Sequence, residues 1–175
     1  MIEIKDKKDC AGCTACTEIC PKKCIQMKPD EEGFLYPVVD KNRCVECNAC
    51  NMVCPIQNPI TEEEKPQKAY LVQHCDEKVR LDSSAGGAFT AIATVVLQRG
   101  GVVFGAAYDE NFHVQHTYVE AVNELKRFRN SKYVQSDLGD SFCLVKDFLQ
   151  KDRWVCFSGT PCQIEGLSKF LRKPY

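Results

Sequence analysis

Surplus charge of either sign is missing from this sequence of 175 residues. Lys and Arg number 23 against 24 Asp and Glu, a formal net charge of −1. That leaves no electrostatic case for a nucleic-acid or other polyanionic partner. Long apolar runs are missing as well. None approaches the ~20 residues a membrane-crossing helix needs, so no membrane span is expected. No secretory leader is recognisable, because Met1-Ile2-Glu3-Ile4-Lys5 runs straight into a cysteine-rich stretch. Histidine is scarce, with three in the chain. His113 and His116 lack a carboxylate or cysteine companion at ligand spacing, so they read as ordinary strand histidines.

What the chain has in excess is cysteine: thirteen residues. Without a leader, so many thiols argue for a reducing cytoplasm and metal ligation rather than disulfides. Eight of them form two copies of one pattern. The first is Cys10-x2-Cys13-x2-Cys16-x3-Cys20-Pro21 and the second Cys44-x2-Cys47-x2-Cys50-x3-Cys54-Pro55. Zinc sites use pairs of CxxC rather than three cysteines closed by Cys-Pro. The spacing is that of bacterial ferredoxins with two [4Fe–4S] clusters, where three thiolates wrap one cubane and the fourth reaches the other. The pattern therefore assigns Cys10, Cys13, Cys16 and Cys54 to cluster one, and Cys44, Cys47, Cys50 and Cys20 to cluster two.

The two copies repeat with a period of 34 residues, from Cys10 to Cys44, the mark of a duplicated module. Residues 1–60 form this first unit, expected as an α+β ferredoxin-like fold in which each half is a strand, a cysteine loop and a short helix. Residues 33–39 read as a strand into the second loop. Apolar content is thin here, so cluster binding must supply much of the folding energy. Cys24 is expected packed beside a cluster as a small buried hydrophobe. Residues 61–68 are charged and proline-bearing and read as a linker.

From residue 69 the pattern becomes that of an α/β domain. Strands are expected at 69–74, 102–107, 113–119 and 154–157. The strand at 102–107 should be buried on both faces, and that at 113–119 should lie nearer an edge. Asp82-Ser83-Ser84 signals an N-cap for a helix at about 86–98, with Ala88, Ala91, Ile92, Val95 and Val96 on its buried face. A short helical stretch over 122–129 and an amphipathic helix marked by Leu138, Phe142, Val145, Phe148 and Leu149 follow. A last helix begins at Gln163. The domain reads as incomplete, and the chain as a fragment of a longer protein. Cys143 and Cys156 read as core, and Cys75 beside His74 makes no metal site.

Two loops suit an anion. Ser83-Ser84-Ala85-Gly86-Gly87 opens a helix with hydroxyl donors and exposed backbone N–H groups, though by itself it reads more readily as a plain capped turn. Ser158-Gly159-Thr160-Pro161-Cys162-Gln163 runs from strand to helix, where open α/β sheets bind ligands. Cys162 near a helix start reads equally as a ligand or redox thiol and as a small residue in a tight turn.

Four stretches together carry a resemblance: Ser83-Ser84-Ala85-Gly86-Gly87-Ala88-Phe89, Gly101-Val102-Val103-Phe104-Gly105-Ala106, Ser131-Lys132-Tyr133-Val134-Gln135-Ser136 and Gly159-Thr160-Pro161-Cys162-Gln163. In this order, behind a ferredoxin module, they resemble the coenzyme F-420 hydrogenase/dehydrogenase beta-subunit family. The resemblance implies an iron–sulfur flavoprotein oxidoreductase that binds FAD and passes electrons between clusters and a deazaflavin or another acceptor. It places Ser84, Gly86, Gly87, Ser131, Lys132, Tyr133, Thr160 and Cys162 at or near the flavin. Members usually extend well past the length seen here. The expected partner is a redox protein or a small-molecule hydride carrier. The contrasting expectation is a non-enzymatic ferredoxin-type carrier that serves a partner oxidoreductase.

Overall fold

The computed structural model describes residues 1–59, 66–173 and 175. It resolves into two compact units, Met1–Glu62 with Gly159–Tyr175, and Glu63–Ser158. The sequence had placed 159–175 in the second domain; by its contacts that stretch groups with the first. Most of the expected linker, 61–68, lies outside the described residues, and 66–68 carry no regular structure.

The first unit is built from short pieces. Helix α1 is Ala15–Glu18, strand β1 Ile25–Pro29, strand β2 Leu35–Val39 and helix α2 Ala49–Met52. β1 and β2 pair antiparallel, with Ile25 opposite Val39 and Pro29 opposite Leu35. Asp30 fixes their turn, its carboxylate accepting from the N–H groups of Glu32 and Phe34, each at 3.0 Å. The strands therefore both lie between the cysteine loops. The expected order, one strand leading into each loop, holds only for the second: residues 1–4 have no ladder partner.

The repeat is visible in the backbone. Gly12 and Thr14 have φ of 63° and 59°, and Glu46 and Asn48, 34 residues on, have 51° and 63°. Left-handed backbone costs a non-glycine residue about 1–2 kcal/mol, so its recurrence on either side of Cys13 and Cys47 marks a shape the loops must take. Turns of this kind point successive N–H groups into one concavity, as iron–sulfur and other anionic sites require. The interior is assembled from Ile2, Cys16, Cys24, Ile25, Cys50 and Cys54, with Ile4, Ile19, Cys20, Val39 and Cys44 against it.

In the second unit, helix α3 (Glu77–Leu81) precedes helix α4 (Ala88–Gln98). Strand β3 (Val102–Tyr108) is central, strand β4 (Val114–Val119) pairs with it antiparallel, and helix α5 (Ser141–Gln150) leads to strand β5 (Val155–Phe157), parallel to β3. The sheet order is β4-β3-β5, so β4 lies at an edge as expected. Residues 122–128 form a 3₁₀ helix. Helix α6, Pro161–Leu171, closes the chain and belongs to the first unit.

Three expectations need correction here. Residues 69–74 form no strand: Tyr70, Leu71 and Val72 are exposed, and the segment's end is tied by the His74 N–H on the Gly86 carbonyl and by Arg80 on the His74 carbonyl. Asp82 caps the end of α3, while α4 takes Gly87 as its N-cap. The buried face of α4 is Thr90, Ala93, Val96 and Leu97, with Ile92 and Val95 turned to the surface. The helix is apolar nearly all round, so hydrophobic spacing alone did not fix which side faces inward.

Candidate functional site

The cysteine loops gather their sulfurs in two groups. Cys20, Cys44, Cys47 and Cys50 line one small pocket, together with Cys24, Met1 and Ile25. Cys10, Cys13, Cys16 and Cys54 stand within electrostatic reach of one another. Burial pushes the Cys13 thiol up to about 11, against the pull of the Ala15 N–H, and Cys54 and Cys10 add to the rise. Burial pushes Cys16 up to about 12, reinforced by Cys13, Cys10 and Cys54. Cys50 contributes to the same shift, so the two sulfur groups adjoin. Crowded thiols of this sort resist ionisation by themselves. A cationic metal core reverses the sign, since a coordinated thiol loses its proton outright.

Among the described residues no group of three or more His, Cys, Asp or Glu is disposed to hold a single metal ion. Sulfurs on one tetrahedral zinc would stand about 3.8 Å apart at a Zn–S bond of about 2.3 Å. A four-iron core is larger and takes sulfurs set wider. The donor set and the concave N–H loops fit such a core.

Cys24 is buried in this same wall, its sulfur 3.4 Å from that of Cys20. The Cys20 sulfur pushes the Cys24 thiol up to about 11. Cys20 moves the other way: burial opposes it, but the N–H groups of Cys24, Lys22 and Lys23 hold its thiol below the usual range. The expectation of Cys24 beside the sulfur group matches its position.

The flavin candidates divide. Ser84, Gly86, Gly87 and Ser131 line an open cavity of about 310 Å³ in the second unit, with Thr90, Arg129, Asn130 and Ser158 among its walls. Ser84 Oγ donates to Asn130 Oδ1 at 3.0 Å and joins the two sides. A Cβ on Gly86 would collide with the Val72 carbonyl oxygen, and Gly87 takes φ of 79°. The glycines thus let the chain turn tightly and leave the first N–H groups of α4 without a side-chain cap. This is the arrangement that favours an anionic group. Of the other four, Lys132 donates to the carbonyls of Arg127 (3.0 Å) and Arg129 (2.8 Å), and burial lowers its pKa. It ties down the loop rather than lining the cavity. Tyr133 is exposed. Thr160 and Cys162 belong to the first unit, where Thr160 Oγ1 meets Cys162 Sγ at 3.1 Å and Cys162 lies near enough to Cys13 to raise its pKa.

Sequence reasoning passed over Arg129, and read His116 as an ordinary strand histidine, which its place in β4 matches. Arg129 reaches Thr90 Oγ1 at 3.3 Å and Asp82 at 3.2 Å, bracing the cavity wall. His116 is buried, stacked on Phe157, and bonded to the Ser158 carbonyl (3.0 Å) and to Ser136 Oγ (2.8 Å). No spacing rule marks either, because their partners are distant in the chain. Cys143 and Cys156, expected in the core, are only half-buried, and Cys75 is exposed.

Comparison with known proteins bears on the N-terminal part. No curated protein matches the chain. Residues 9–58 match the family of the 4Fe-4S dicluster domain. Among the described residues no helix is long and apolar enough to cross a membrane. The chain thus carries a 4Fe–4S ferredoxin-type domain, suited to carrying electrons, followed by a mixed helix and sheet region.

Proposed function

We propose that this chain is the electron-transferring part of an iron–sulfur flavoprotein oxidoreductase working in a reducing cytoplasm. Cys10, Cys13, Cys16 and Cys54 hold one [4Fe–4S] cluster, and Cys44, Cys47, Cys50 and Cys20 hold the other. The observation that carries this is the gathering of eight thiols, spaced as two interlocked Cys-Pro runs, into two adjoining groups. Their adjacency keeps the electron step between clusters short.

The second unit is read as the flavin end. The Gly86-Gly87 turn and the open end of α4 hold the phosphates, Ser84 and Ser131 supply hydroxyl contacts, and Lys132 keeps the 127–131 loop in shape. FAD bound there would convert two-electron hydride chemistry into the single electrons that clusters carry. The onward acceptor is a deazaflavin-like hydride carrier or a redox protein, in keeping with the resemblance to the coenzyme F-420 hydrogenase/dehydrogenase beta-subunit family.

Iron, sulfide and flavin analysis of anaerobically purified protein tests both halves. The expected result is about eight irons per chain with bound flavin. Zinc without iron overturns the whole reading. Eight irons reducible by a partner, with no flavin retained by the complete polypeptide, favours the second reading: a ferredoxin-type carrier subunit, which the cysteine unit supports equally well.

A further inference from the structure

The sulfurs assigned to cluster two are not served by their own loop alone. The Ile2 backbone N–H donates to Cys50 Sγ at 3.1 Å, across 48 residues of sequence and in a buried setting. Other donors to the sulfurs are local: Gly12 to Cys10, Ala15 to Cys13, and residues 22–24 to Cys20. Such contacts come with the loop itself. The one from Ile2 comes from a separate N-terminal segment that must be held in place.

Four observations show how it is held. Ile2 is 5% exposed and packs in the same interior as Cys16, Cys24, Ile25, Cys50 and Cys54. Ile4 packs against that interior too. Between them, the Glu3 carbonyl accepts from Gln57 Nε2 at 3.0 Å, which ties this segment to the residues just beyond the second Cys-Pro. Met1 lines the cavity with the four sulfurs.

We propose that the Ile2 N–H is the positioning donor that sets the reduction potential of the cluster held by Cys50, with Gln57 holding the segment that presents it. This rests on the two-cluster reading above. A hydrogen bond to a ligating sulfur draws off negative charge and so favours the reduced, more negative cluster. Its loss lowers the potential of that cluster and leaves the other alone.

The test is an EPR-monitored redox titration of the full chain, with iron and sulfide measured on each sample. Ile2→Pro removes the N–H. Because proline also disturbs packing, a second variant keeps the side chain: the hydroxy-acid analogue of Ile2, carried on a synthetic 1–9 segment ligated at Cys10, replaces the N–H by an ester oxygen. Ile2→Val retains the N–H and serves as the control. The expected result is one midpoint moved to more negative potential in the ester variant, the second unmoved, and neither moved in Ile2→Val. Gln57→Ala should move the same midpoint in the same direction, by less. Unmoved midpoints in the ester variant, with iron content intact, overturn the proposal, as does an equal shift of both. Iron content of one cluster or none in the unmodified protein instead defeats the underlying reading, and is seen before any titration begins.

Discussion

The two units fill their interiors with different materials. Among the described residues, the bulkiest fully buried side chains are Phe104, Phe142, Leu125, Leu138, Val102, Val103, Val119 and Val145 in the second unit, against Val53 in the first. Phe104 alone stacks with Phe157 and meets Phe148 and Tyr118 at centroid distances of 5.4 to 6.1 Å. The first unit instead buries cysteines and a few aliphatic residues. A small unit of this kind is marginal even with a good core. One whose interior is so largely thiol is expected to depend on what those thiols bind, and the other is not.

Stripping the metal should break the comparison open most widely. With iron removed by chelation under reducing conditions, residues 1–59 should lose hydrogen-exchange protection while β3 and α5 keep theirs. Equal loss in both units, or protection retained in the first, would show that the metal is not the missing core. Phe104→Ala is the converse. It should cost the second unit about 3–5 kcal/mol in denaturant unfolding and leave iron content unchanged. Iron lost with it would mean that the units do not hold their contents separately.

A smaller effect is expected at Gly86. Alanine there drives its Cβ into the Val72 carbonyl oxygen, so the 83–87 turn must shift. A cost of about 1–3 kcal/mol follows, with flavin retention lost and the iron count kept. Flavin retained at full occupancy by Gly86→Ala would remove this turn from the proposed site.

Sequence legibility follows the same division. The cysteine pattern is dense and local, so the residues that gather sulfur could be read from spacing, and the structure groups them. The hairpin's place between the loops could not, because strands beside metal loops carry little hydrophobic alternation of their own. In the second unit the buried run at 102–107 was plain, since a strand covered on both faces is apolar throughout. The segment Ala69-Tyr70-Leu71-Val72-Gln73-His74 also reads as a strand but finds no ladder partner, and composition does not reveal partners. The inward side of α4 was misread because apolar residues surround most of that helix. Thr160 and Cys162 were assigned to the flavin through a motif. Contacts of α6 place them with the sulfur unit, which nothing in the local sequence announces.

The finest test of the comparison is pH. His116 lies in the second unit, buried between Ser136 and the Ser158 carbonyl, and burial lowers its pKa below the ordinary value of 6.5. With its Nε2–H donated to the Ser158 carbonyl, Nδ1 is left to accept from Ser136. The folded unit therefore holds the neutral ring, while the unfolded chain takes up a proton as the pH falls through about 6.5. More protons on the unfolded state means stability that is fully present above that value and declines below it. Urea unfolding of the second unit should weaken between pH 6.5 and 5, and His116→Gln should flatten that decline while lowering the plateau. The first unit has no histidine among residues 1–59, so acid should reach it through its sulfur ligands instead. A second-unit profile just as steep in His116→Gln would assign the acid sensitivity to some other group.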